Sequence, residues 1–216
     1  MKTVRHLAIT LFIVPLIVFF GCSKPNQDVS AAGSIENSIY KNSYFGMEIT
    51  FPNSWHILDP RMVRALEQYG AGAVAGSNRE DIEKIKHAIS KVENLVMATM
   101  YPISGEGYYN PAFTCTALSL NVARNISSAK DYLLLVRNRP APAKFAYSYP
   151  SELRESRIDG VLFYVLSRNI KYSGFDIRQE IYAAVVKNYL LSFILTSETN
   201  QQHAAFLQVL GKVRFR

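Results

Sequence analysis

The chain has 216 residues, 49% hydrophobic, 19% charged and 12% aromatic, which suits one good-sized globular domain plus an appendage and excludes a disordered or low-complexity chain. Its net charge of +7, from 24 Lys and Arg against 17 Asp and Glu, is scattered in pairs such as Arg137 and Arg139. No long run of like charges marks a nucleic-acid arm, so no nucleic-acid partner is expected.

The first segment reads as an export signal. Lys2 and Arg5 form a positive start, Leu7 to Phe20 an uncharged apolar run, and Gly21 the small residue before a processing point. A spanning helix needs about 20 apolar residues. This run is shorter and holds Pro15, so a permanent transmembrane anchor is the weaker reading.

The residues "FFGCS" resemble the lipobox of bacterial lipoproteins. That resemblance implies a signal peptide over 1–21, cleavage between Gly21 and Cys22, and a diacylglyceryl thioether on Cys22 with further acylation of the new amino group. The membrane is then a partner, reached through the lipid. Ser23 after the cysteine implies the periplasmic side of the outer membrane if the host is diderm. One acyl chain binds marginally, whereas two or three hold firmly at about 0.8 kcal/mol per buried methylene. Residues 22–39, rich in Ser, Asn, Ala and Gly, read as a flexible tether. Such a chain spans roughly 20–25 Å root-mean-square.

The globular domain is expected from Tyr40 to residue 216. "YFGMEITFP" alternates as a strand, with Phe45, Met47, Ile49 and Phe51 on one face, and Trp55 and Ile57 start a short continuation. Asp59 caps a helix, Pro60 takes its first position and Gly70 stops it. Ser77 and Glu80 form a capping-box pattern for a second helix, striped by Ile82, Ile85, Ile89 and Val92. Leu95 to Tyr101 and Thr114 to Ala123 read as strands, and Ser127 or Ser128 caps a helix that ends before Pro140. Strands at 151–158 and 161–170 flank Asp159-Gly160, and strands at 175–186 and 189–196 flank Lys187-Asn188. Both dipeptides are tight-turn signals. Thr199 and Gln202 cap a last helix over 200–210, and "KVRFR" reads as a closing strand.

Hairpin-joined strands exclude a doubly wound parallel sheet. The fold class is α+β: an antiparallel sheet of six or seven strands with helices packed on its faces. The opening "YFGMEITFPNSW" and the closing "FLQVLGKVRF" resemble the PsbP-like fold, an α/β/α sandwich. The resemblance implies binding or scaffolding rather than catalysis.

Catalytic and metal signatures are sparse. His56, His87 and His203 belong to no ligand-spaced set, Glu83 and His87 suit a weak i,i+4 pair, and no cofactor is expected. Tyr101, Tyr108 and Tyr109, in a loop with Gly105 and Gly107, form a candidate partner-binding surface, set against the plainer reading that the rings cover the sheet edge. Cys115 reads as a buried, inert thiol. The sequence thus points to a lipid-anchored, non-enzymatic binding or assembly module of the bacterial envelope. The alternatives are an envelope hydrolase with its site around Cys115 and His203, and a component of a secretion or surface assembly bound to another envelope protein.

Overall fold

Four two-residue turns, each with both residues in the left-handed region, set the frame: Asn37-Ser38, Asp159-Gly160, Ser173-Gly174 and Lys187-Asn188. Turns of this hand match the twist of paired strands. The structure, a computed structural model, describes residues 33–75, 79–103, 109–123, 126–142 and 144–216.

The chain opens with β1 (Ser34–Glu36), β2 (Ile39–Asn42), β3 (Met47–Thr50) and β4 (His56–Ile57), then α1 (Pro60–Ala75) and α2 (Arg79–Ile89). Next come β5 (Val92–Thr99), β6 (Ala112–Ser119), α3 (Ala129–Arg137), β7 (Phe145–Ser148) and β8 (Arg154–Ile158). β9 (Val161–Tyr172), β10 (Phe175–Val186), β11 (Tyr189–Ser197), α4 (Asn200–Leu210) and β12 (Arg214–Phe215) complete it.

The larger sheet runs β4-β5-β6-β11-β10-β9-β7, with β8 also on β9. β7 pairs with the end of β9 at 169–172 and β8 with its start at 161–165, so the two lie end to end along one edge. The sheet is antiparallel throughout, as expected for an α+β chain. The difference from a single sheet is a second one, β1-β2-β3-β12.

That smaller sheet exists because β3 carries apolar residues to be covered. Met47 and Ile49, with Tyr40, Phe45 and Phe51, join Phe113, Phe163 and Phe193 of the large sheet and Phe206 of α4 in one core. Burying one such side chain contributes about 1.5–3 kcal/mol, so this aromatic layer dominates the surface ion pairs. On the opposite face, Leu133 and Val136 of α3 lie over Leu166, Ile181 and Ile194. α1 sets Val63 over Met97 and Ala112 near its start and Val74 against Tyr109, Phe145, Ile170 and Ile177 near its end. Helices therefore flank both faces.

Several boundaries differ from the sequence reading. α1 runs through Gly70 to Ala75. A helical glycine is about 1 kcal/mol worse than alanine, and burial of Ala71 beyond it offsets that. β5 starts at Val92, which the helical stripe had claimed, with a bulge between Asn94 and Val96. Pairing begins at Ser34, inside the stretch read as tether, because Asn37 and Ser38 adopt the turn that folds β1 onto β2. Ser77 lies outside the described residues. α4 matches its expected span and carries the full Thr199–Gln202 capping box.

Candidate functional site

The residues singled out from sequence separate in the structure. Gly21, Cys22 and Tyr108 lie outside the described residues. Tyr101 is 53% exposed, and the Asn110 side chain clamps its backbone: Nδ2 donates to the Tyr101 carbonyl at 2.8 Å while Oδ1 accepts from its N–H at 3.2 Å. Tyr109 is a correction: it is buried, with its ring 6.2 Å from that of Phe175 and beside Ile170 and Ile177. It belongs to the core under α1 and offers no exposed surface.

Cys115 sits mid-strand in β6, paired with Val96 and Phe193 and fully buried. Burial pushes its thiol well above the usual range, so the thiolate needed for attack is disfavoured. His203, on α4, turns to Glu180 instead, with Nε2 3.6 Å from Oε2. The alternative of a hydrolase site around Cys115 and His203 is therefore not supported: the thiol is sealed and the imidazole faces a different group. Glu83, considered with His87, pairs with Lys86 at 3.0 Å. Among the described residues, no group of three or more His, Cys, Asp or Glu is placed to hold a metal ion.

What the fold does assemble is a polar belt through the middle of the large sheet. The Ser173-Gly174 turn fixes the register of β9 on β10, setting Ser167 opposite Glu180 and Arg168 opposite Gln179. Because side chains alternate, the first pair faces α4 and the second faces α1 and α3.

On the α4 face, Glu180 is 2% exposed and saturated with donors. Oε1 accepts from Ser167 Oγ at 3.1 Å and Arg178 Nη2 at 2.9 Å; Oε2 accepts from Arg154 Nη2 at 3.1 Å and Tyr182 Oη at 2.8 Å. A carboxylate has about four acceptor sites, so none is left for a proton-transfer partner. Burial by itself would raise the Glu180 carboxyl; the bonds from Arg178 and Tyr182 and the nearby charges outweigh it and leave it below the usual range. Arg154 and Arg178, each with a half-exposed side chain, leave one excess positive charge at the rim. This cluster holds strands and helix together and is not a poised base.

On the other face, Arg168 is 2% exposed and Gln179 is fully buried. Arg168 Nε donates to Gln179 Oε1 at 2.8 Å, and the guanidinium carbon lies 4.5 Å from the centroid of the Tyr147 ring. Arg168 Nη2 and Gln179 Nε2 are sealed from solvent and meet no acceptor among the described residues. No carboxylate of the described residues pairs with this arginine. Thr196 extends the row on β11, but its hydroxyl donates to the Ala112 carbonyl at 3.3 Å.

Sequence reasoning passed over both groups. Their trace is the polar triplet Arg178-Gln179-Glu180 inside the apolar run of β10.

Solved structures with a related chain path include the cyanobacterial PsbP (CyanoP) from Synechocystis sp. PCC 6803, at 12% identity and a TM-score of 0.47, covering 90% of this chain and 98% of that one. Another is LpqN, involved in cell envelope biogenesis of Mycobacterium tuberculosis, at 10% identity and a TM-score of 0.45, covering 78% of this chain and 82% of that one. No family model and no curated protein matches the chain.

Proposed function

We propose that this chain is a lipid-anchored, non-enzymatic binding or assembly module of the bacterial cell envelope. The observation that carries the reading is the contrast between its two cysteines. Cys115 is sealed inside the sheet as a free thiol, so it is no disulfide partner for Cys22. Cys22 then stands at the end of an uncharged apolar run, in a lipobox-like sequence, as a site for acylation. Residues 22 onward tether the domain, and Ser23 favours the outer membrane in a diderm host. Binding rather than catalysis is supported by the sealed thiol and by the donor-saturated Glu180. Exposed Tyr101, with Tyr108 nearby in sequence, is a contact point for an envelope protein partner.

Membrane fractionation of cells producing the full chain tests the anchor. Cys22→Ala moves the protein out of the membrane fraction, and globomycin, which blocks lipoprotein signal cleavage, accumulates the precursor. A Cys22→Ala protein that stays with the membrane contradicts the proposal.

A further inference from the structure

We propose that the face of the large sheet beneath α1 and α3 holds a binding site for a small monocarboxylate with an apolar body, its head group taken by Arg168 and Gln179. This rests on the reading of the domain as a binding module and is independent of the anchor.

Taking a guanidinium out of water is expensive unless a counter-charge and hydrogen bonds replace the solvent. Glu180, one residue from Gln179 along β10, shows what a matched charge looks like in this protein, since all its acceptor positions are filled. Among the described residues Arg168 has only one hydrogen bond, to the neutral Gln179 side chain, and a ring beside it. The two orphan atoms, Arg168 Nη2 and Gln179 Nε2, are both donors and belong to side chains already joined by that bond. The amide is fixed in this sense, because turning it over would set an N–H against Arg168 Nε–H. The missing group must therefore be an acceptor.

Its charge and shape follow from the same residues. One guanidinium and one amide supply a single positive charge and two buried, unpartnered donor nitrogens, which match the two oxygens of one carboxylate. A phosphate dianion would lack the second positive charge here. The neighbours are apolar: two residues further along β9 and β10, Ile170 and Ile177 begin the cluster containing Tyr109 and Phe145. Phe145 also lines an open groove with Tyr172 and Phe175 at the tip of the β9–β10 hairpin. Lys144, Lys171 and Asp176 line the same groove, with Lys171 Nζ 3.5 Å from Asp176 Oδ1, which leaves one positive charge in excess there.

Equilibrium dialysis of radiolabelled hexanoate against the full chain in phosphatidylcholine vesicles, blanked with protein-free vesicles, tests this. Hexanoate binds saturably at one site per chain; Arg168→Met abolishes that binding and Gln179→Leu weakens it at least tenfold, each variant being checked for native circular dichroism. Gln179→Leu, which keeps the arginine, carries the test if Arg168→Met does not fold. Competition by unlabelled 1-hexanol as strong as by hexanoate means apolar partitioning only and overturns the carboxylate assignment. Competition by inorganic phosphate at equal concentration overturns the head-group assignment. Absence of saturable binding, or unchanged binding in both variants, overturns the site while leaving the Cys22 fractionation result untouched.

Discussion

Arg154 on β8 reaches across β9 to Glu180 on β10, its Nη2 3.1 Å from Oε2 and 3.0 Å from the Tyr182 hydroxyl. The same guanidinium lies 5.4 Å from the centroid of the Tyr182 ring. One side chain thus ties the edge strand to the centre of the sheet, and α4 closes over the carboxylate through His203. Glu180→Gln keeps the shape but removes the charge to which all four donors point. Hydrogen bonds to a charged group are worth about 1.5–3 kcal/mol each in favourable cases and are not additive. The expected loss in denaturant unfolding is about 2–3 kcal/mol, while Arg154→Ala, half-exposed, loses about 1 kcal/mol or less. Equal losses would show that the carboxylate is not the hub.

Acid acts on this cluster in two stages. Burial holds the His203 imidazole below its ordinary value of 6.5; Glu180 pulls the other way, and Arg178 and Arg154 reinforce the lowering. The unfolded chain therefore binds the proton first, and stability falls as pH drops below 6.5 toward the folded value. Glu180 has its folded value depressed, so its contribution is complete above the ordinary 4.5 and is lost as pH falls through the lower folded value. Urea melts from pH 7.5 to 4 should show a first decline that His203→Gln removes. A first decline unchanged in that variant would assign it elsewhere.

Gly46 precedes β3 with φ of +63°, and a methyl added there would collide with the Arg216 carbonyl oxygen. The Arg216 N–H in turn donates to the Gly46 carbonyl at 2.8 Å. Gly46→Ala meets both backbone strain and a clash with the main chain of Arg216. A loss of roughly 2 kcal/mol or more is expected by denaturant titration, with faster hydrogen exchange in β3 and β12. Gly160 has open space around it, so Gly160→Ala pays only for its conformation and loses less.

Cys115 should resist a water-soluble aromatic disulfide reagent in the native protein and react once in guanidinium chloride. The thiol is sealed and its ionisation suppressed. With Cys22 acylated, the mature native chain shows no fast thiol and the unfolded chain shows one. Rapid native labelling at Cys115 would reopen the nucleophile reading.

Much of the fold is visible in local chemistry. Asp159-Gly160 and Lys187-Asn188 adopt the turns their residues favour, and Thr199 with Gln202 fixes the start of α4. Non-local relations are not so visible. Nothing in β6 or β11 says that they pair, yet Cys115 opposite Phe193 buries the thiol. Gly70 looks like a stop until Ala71 and Val74 find their cover. Tyr109 resembles a loop aromatic, and only the neighbouring Phe175 and Ile177 show it to be core. The polar belt is the instructive case. Counting back from a two-residue turn at Ser173-Gly174 sets Arg168 on Gln179 and Ser167 on Glu180. That register was accessible from the sequence; Arg154 and His203 joining Glu180 depends on β8 and α4 arriving from elsewhere.

The account turns on Cys22 being the covalent end of a tether. Intact-mass and peptide mass spectrometry of the protein extracted from bacterial membranes tests this most directly. The account predicts a chain beginning at Cys22, with residues 1–21 gone and the mass of a diacylglyceryl group, with or without a further acyl chain, on the N-terminal peptide. A mature chain with unmodified Cys22, or one that retains Met1 through Gly21 in a host that processes lipoproteins, would contradict it.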